Sequence, residues 1–204
     1  MLSKQQLDNN QRRIGLTGGI ASGKTTIANH IKLSKNIDLL DADHFSRKLI
    51  LSETTPYKKI ISKFGNSIID TKSISKEIDR KKLKKIIFEY PDKRIWLENL
   101  LHPLIREKMI KECKNLQHKK VLLLVVPLLF EAKFNDLCTE IWIVQCSKKA
   151  QIKRLLKRDK ISPSEAERII NTQIDFSKQE TSDYIYLDNE NEKKIWQRQI
   201  DKLI

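Results

Sequence analysis

The sequence predicts an α/β fold in which helices cover both faces of a parallel sheet. Three observations lead there. Five short β-rich runs, at 13–17 (RIGLT), 37–41 (IDLLD), 121–126 (VLLLVV), 140–146 (EIWIVQC) and 184–188 (YIYLD), are separated by longer helix-periodic segments, and strands alternating with helices form parallel sheets. The third run is apolar without a break, as a strand buried on both faces requires. The first run leads directly into a glycine-rich turn that opens a helical segment.

In chain order, residues 1–12 read as a polar leader, expected to be disordered and without the apolar stretch of a signal peptide. Residues 13–204 read as one domain. From Pro56 to Gln117 the pattern turns to charged, helix-periodic sequence with almost no strand signal, so about 56–117 is expected to be a helical insertion beside the sheet. Pro127 cannot continue a central ladder, so the third strand should stop by there. A second helical region, about 148–180, breaks and restarts at Ser162 and Pro163. At the end, Ile195, Trp196, Ile200, Leu203 and Ile204 fall at helical spacing and should pack on the sheet.

Composition narrows the function classes. At 204 residues and 39% hydrophobic content the chain can bury a full core. The formal net charge of +14 draws in anionic metabolites and polyanions. Yet only ten of the 40 basic residues are arginine, they are spread along the chain, and no nucleic-acid module stands beside them. A solvated lysine-rich surface is the better reading, with no specific nucleic-acid partner expected. Cys113, Cys138 and Cys146 form no CxxC pair and are odd in number, which argues against a disulfide framework or a zinc site and fits a cytoplasmic protein. No run of about 18 apolar residues offers a membrane span.

The chemistry begins at residues 15–26, GLTGGIASGKTT. Gly18, Gly23, Lys24 and Thr25 occupy the fixed positions of G-x-x-x-x-G-K-[ST], with a strand before and a helix after. In such a loop the backbone of Gly18, Gly19, Ala21, Ser22 and Gly23, with the helix start at Thr26, surrounds a phosphate chain. Lys24 would reach the β and γ phosphates and the Thr25 hydroxyl a Mg2+ ion, so the loop is read as an ATP cradle.

A cradle names a donor, not a reaction. Asp43, in DADHFSR, falls near a helix start at the carboxyl end of a strand, where open α/β sheets place ligands. There it could orient or deprotonate a hydroxyl, help hold Mg2+, or simply cap the helix and pair with Arg47 one turn on. Val125 closes the third strand where an acid could have served the metal, leaving Asp43 or Asp41 as the nearest carboxylates. Glu98, His102 and Arg106 lie four apart, suiting either an acceptor-phosphate clamp or a solvated face, with Pro103 bending that helix or marking its start. Leu129 and Phe130 are candidates to line the acceptor pocket or to pack the core. Arg154 and Arg158, also four apart, could close over a transferring phosphoryl group or form a plain basic face. On these residues alone a nucleoside or nucleotide kinase, or a P-loop protein whose nucleotide regulates nucleic-acid binding, remains open.

With these blocks in order, LTGGIASGKTT, DADHFSR, WLENLLHPLIR, VPLLFE, RLLKRD and SDYIYLDN, the sequence resembles the dephospho-CoA kinase family from Ile14 onward. The resemblance implies a P-loop nucleoside-triphosphate hydrolase fold: a five-stranded parallel sheet covered by helices, a helical CoA-binding insertion and a helical lid. It implies transfer of the γ-phosphoryl group of ATP, with Mg2+, to the 3′-hydroxyl of dephospho-CoA. A monomer or weak homo-oligomer is expected. It further implies Lys24, Asp43 and Arg158 as catalytic residues, and Thr25 with Asp43 at the metal. Arg154 and Asn189 fall on the ATP side, with Asn189 where the family brings backbone near adenine. Asp43, Arg47, His102, Pro103, Arg106, Leu129 and Phe130 fall on the dephospho-CoA side. Three departures stand out: Ala21 where the loop commonly has glycine, tolerable if its φ is negative; Val125 where many members carry an aspartate; and no glycine after Asn189.

Overall fold

The computed structural model describes residue 7 and residues 10–174, 176, 182–190 and 193–204. The chain divides into two compact units, one of residues up to 41 with 113–204, the other of residues 42–112.

The first unit is a five-stranded, all-parallel sheet in the order β2-β3-β1-β4-β5. Its strands are β1 (Arg12–Gly18), β2 (Asp38–Asp41), β3 (Val121–Val125), β4 (Glu140–Gln145) and β5 (Ile185–Asp188). The apolar run VLLLV is buried on both faces, with Leu122, Leu123 and Leu124 fully enclosed. The centre, however, belongs to β1, flanked by β3 and β4. Its residues Ile14 and Leu16 join Leu123, Trp142, Val144 and Leu187 in the main core cluster.

Helices pack over this sheet where their apolar stripes dictate. α1 (Lys24–Lys35) buries Ile27, Ala28 and Ile31, three and four residues apart as a helical stripe demands. α6 (Lys148–Asp159) is capped by the Ser147 hydroxyl, and α7 (Pro163–Ile170) by the Ser162 hydroxyl with Pro163 in its first turn, so the break falls where the sequence marks it. α8 (Lys193–Leu203) buries Trp196 and Ile200 in the core. Ile195 departs from expectation: it is 48% exposed, because it lies off the stripe that Trp196 and Ile200 define.

The second unit holds α2 (Ala42–Leu49), α3 (Thr55–Phe64), α4 (Arg80–Glu89) and most of α5 (Pro91–Asn115), with a short antiparallel bridge between Ile69 and Ile78. It starts at Ala42 rather than near Pro56, since α2 belongs with it. α5 runs unbroken through Pro103, which neither starts nor ends it.

Order at the amino-terminal side also begins earlier than residue 13. Of the expected leader, residues 1–6 and 8–9 lie outside the described residues, but Leu7 is buried and Arg12 opens β1. Gln11 is buried because its side-chain amide donates to Leu116 O at 2.8 Å and Lys119 O at 2.9 Å, closing the turn before β3. Residues 175 and 177–180 of the expected lid likewise lie outside the described residues. No described helix is long and apolar enough to cross a membrane.

Candidate active site

The glycine loop joins β1 to α1 at the carboxyl edge of the central strand. Gly18 (φ 143°) and Gly23 (φ 102°) occupy the left-handed region. A Cβ at Gly18 would strike the Val144 carbonyl of β4, and one at Gly23 the side-chain amide of Asn189; both positions demand glycine. At Ala21 the condition under which the departure would be tolerable is not met. Its φ is 58°, not negative, a conformation that costs a side-chain-bearing residue roughly 1 kcal/mol and persists only where neighbours hold it.

What the loop presents is a helix start without a neutralising group. Gly23 caps α1 and has no side chain to accept its N–H groups, and no acid lies in the first turn. The first N–H groups of a helix have no intrahelical acceptor, so the positive end of α1 is available to an anion. Lys24 Nζ donates to Gly18 O at 2.7 Å and Gly19 O at 2.9 Å, which holds the ammonium against the loop rim. Thr25 and Thr26 are exposed. Ser22 Oγ is buried with no hydrogen-bond partner among the described residues, a polar atom in the loop awaiting one.

Outside the loop, four side chains among the described residues hold its backbone. Gln173 Oε1 accepts from Ile20 N at 2.6 Å, and Gln151 Nε2 donates to Ile20 O at 2.9 Å. Arg154 Nη1 donates to Ala21 O at 3.3 Å and Ser22 O at 3.1 Å, and Asn189 Nδ2 donates to Ser22 O at 2.7 Å. Arg154 is thus joined to the loop itself, whereas Arg158, one turn on, faces Asp159 at 2.7 and 3.0 Å and is half exposed. The two arginines share a helix but not a partner. Beside the loop lies a cavity of about 760 Å³ lined by Gly19, Ser22, Cys146, Ser147, Gln151 and Glu190. Within it Ser147 donates its N–H and hydroxyl to Glu190, holding that carboxylate below its usual range, and burial pushes the Cys146 thiol up.

The edge of the sheet supplies one further carboxylate. Val125, where an aspartate was wanting, pairs across the ladder with Asp41 at the end of β2. Leu129 is fully buried against Gly15, so it packs the core instead of opening to a ligand. Phe130 packs its ring against Phe176 and Tyr184 at 5.9 and 5.4 Å.

In the second unit, Asp43 lies in the first turn of α2 and Arg47 in its last, four residues on and on one face. Both are exposed. Sequence reasoning missed Arg80, the first residue of α4, which Asp79 caps by accepting from Lys81 N and Lys82 N. Partial burial, then the Arg47 charge, push the Arg80 guanidinium down, while Asp43 pushes it up; the three charges therefore share one neighbourhood. On α5, His102 and Arg106 stay on one stripe because the helix is continuous, and Glu98 pairs with Arg94 at 3.9 Å. Pro103 is exposed beside them.

Comparison with known proteins decides what this arrangement belongs to. A family model described as CoaE, dephospho-CoA kinase, matches residues 12–194. The chain belongs to the dephospho-CoA kinase family. A protein of Prochlorococcus marinus named dephospho-CoA kinase is 55% identical over 193 residues, 94% of each chain. One of Trichormus variabilis with the same name is 35% identical over 94% of this chain and 95% of its own. Among solved structures, a dephospho-CoA kinase from Campylobacter jejuni is 27% identical with TM-score 0.65, covering 94% of both chains. A Thermus thermophilus protein at 21% identity and TM-score 0.76, covering 96% of this chain and 97% of its own, shares the fold.

In this family member the groups that hold the loop, Gln151, Gln173 and Trp196 behind Asn189, carried no sequence signal, because isolated glutamines and a helix-stripe tryptophan look like ordinary surface and core. Arg80 was hidden in the basic run RKKLKK.

Proposed function

We propose that this chain transfers the γ-phosphoryl group of ATP to the 3′-hydroxyl of dephospho-CoA, giving CoA and ADP in the cytoplasm. The observation that carries the reading is a nearly full-length family match on a chain that keeps an intact phosphate loop, with Lys24 and an uncapped helix start.

Phosphoryl transfer asks little covalent chemistry of a protein and much positioning and charge neutralisation. The α1 start and loop N–H groups bind the phosphate chain, and Ser22 Oγ supplies a donor otherwise unpartnered. Lys24 Nζ exchanges its two carbonyl partners for the β and γ phosphate oxygens, a short movement for a flexible ammonium. Mg2+ is characteristically held by one or two protein oxygens plus substrate phosphates, and the Thr25 hydroxyl and a carboxylate, Asp43 in our reading, fit that donor set. Bound there, the ion would neutralise phosphate charge.

On the acceptor side Asp43 orients the 3′-hydroxyl and takes its proton as the P–O bond forms. Arg47, Arg80, His102 and Arg106 supply cationic and hydrogen-bonding groups for the acceptor's phosphates. Arg158, exposed and paired only with its neighbour Asp159 among the contacts described, is the arginine able to swing onto the transferring group.

A coupled assay of ADP release with dephospho-CoA, AMP, CMP and UMP as separate acceptors tests this. Release confined to dephospho-CoA supports it; release with a nucleoside monophosphate instead contradicts it.

A further inference from the structure

Asn189, just after β5, has every hydrogen-bonding group engaged by protein. Its N–H donates to Gln145 O at 2.9 Å, and its carbonyl accepts from Arg154 Nη2 at 2.6 Å. Its side chain bridges two elements, accepting from the Trp196 indole N–H at 3.0 Å through Oδ1 and donating to Ser22 O at 2.7 Å through Nδ2. The orientation of that amide is dictated by chemistry. An indole N–H can only donate, so the oxygen must face Trp196 and the NH2 must face Ser22. Trp196 is itself fixed, 1% exposed in the core and edge-on to His30 of α1 at 5.1 Å.

Holding the Ser22 carbonyl has a consequence inside the loop. A peptide is planar and trans, so a carbonyl drawn outward points the next N–H, that of Gly23, the other way. Arg154 draws on the Ala21 and Ser22 carbonyls as well, and ties them to Asn189 and Glu190. The amide of Asn189 also fills the space a Cβ at Gly23 would need.

We propose that Asn189 is a positioning residue for phosphoryl transfer: oriented by Trp196, its side chain grips the Ser22 carbonyl and aims the Gly23 N–H at the phosphates, so that ATP affinity depends on the seating of α8.

Two variants test it. Asn189→Asp keeps an acceptor for Trp196 but cannot donate to Ser22. Trp196→Phe keeps an aromatic ring and removes the N–H that orients the amide. Calorimetry with ATP and Mg2+ should show affinity falling about tenfold in Asn189→Asp and several-fold in Trp196→Phe, as expected when a partly buried carbonyl loses the shorter of its two donors and is left to Arg154 alone. The KM for ATP should rise by the same factor while that for dephospho-CoA stays within about twofold. The double variant should be no weaker than Asn189→Asp alone, because both act through one bond.

An unchanged ATP affinity in Asn189→Asp, an equal loss for both substrates, or effects that multiply in the double variant would overturn the proposal. Should Asn189→Asp fail to fold by circular dichroism, Trp196→Phe decides by itself, and wild-type ATP affinity in it overturns the proposal. The inference rests on ATP as the donor, not on the acceptor; a wild-type protein that binds ATP yet leaves dephospho-CoA unmodified refutes the proposed reaction while the calorimetric test still stands.

Discussion

The phosphate loop and the charges proposed for the acceptor side are built in opposite ways. The loop's outer face is fixed by Gln151, Gln173, Arg154 and Asn189, which reach it from two helical regions and the end of β5. Asp43, Arg47 and Arg80 instead stand exposed on the surfaces of short helices. The first arrangement fixes a backbone in advance of its proposed ligand; the second sets charged side chains on open helix surfaces. Preorganisation suits the triphosphate, whose charge must be met at the moment of transfer, and adaptable side chains suit binding of a long acceptor.

That contrast can be broken by substitution. The largest effect is expected from Lys24→Ala, which should cut kcat by about a thousandfold or more while the melting temperature moves little, since the ammonium donates to loop carbonyls at the edge of the cradle and is not part of the buried core. Turnover near wild type would remove the loop lysine from the mechanism. Next, Asp43→Asn should lower kcat about a hundredfold with ATP affinity nearly unchanged, read from steady-state kinetics. A loss confined to ATP affinity would make Asp43 a binding group only. A smaller effect is expected at Arg80→Ala: KM for dephospho-CoA up about tenfold, KM for ATP unmoved, and stability unchanged within about 0.5 kcal/mol for so open a site. Unfolding of this variant would mean that Arg80 is structural. Smallest of all, Ala21→Gly should relieve the left-handed strain and raise stability by less than about 1 kcal/mol in a denaturant titration. Destabilisation would show that the Ala21 conformation carries no strain.

The same contrast governs what the sequence discloses. The loop was legible because its chemistry is local: two glycines with φ values that other residues avoid, then a lysine and a threonine opening a helix. The sheet was legible because apolar runs such as VLLLV must be buried on both faces. The groups that hold the loop were not, since Gln151 and Gln173 reach Ile20 across 131 and 153 residues of chain and differ in no way from solvated glutamines. The conformation of Ala21 was not legible, because a single φ depends on what grips the peptides around it. Leu129 stayed open between pocket and core because an apolar residue after a strand suits both, and it is the packing against Gly15 that buries it.

The measurement that bears most directly on the account is mass spectrometry of the product formed from dephospho-CoA, ATP and Mg2+ by the purified chain, with fragmentation to locate the new phosphate. We expect CoA, carrying its phosphate on the ribose 3′-oxygen, together with an equal amount of ADP. ADP formed with dephospho-CoA left unmodified, or a phosphate on any other atom, would contradict it.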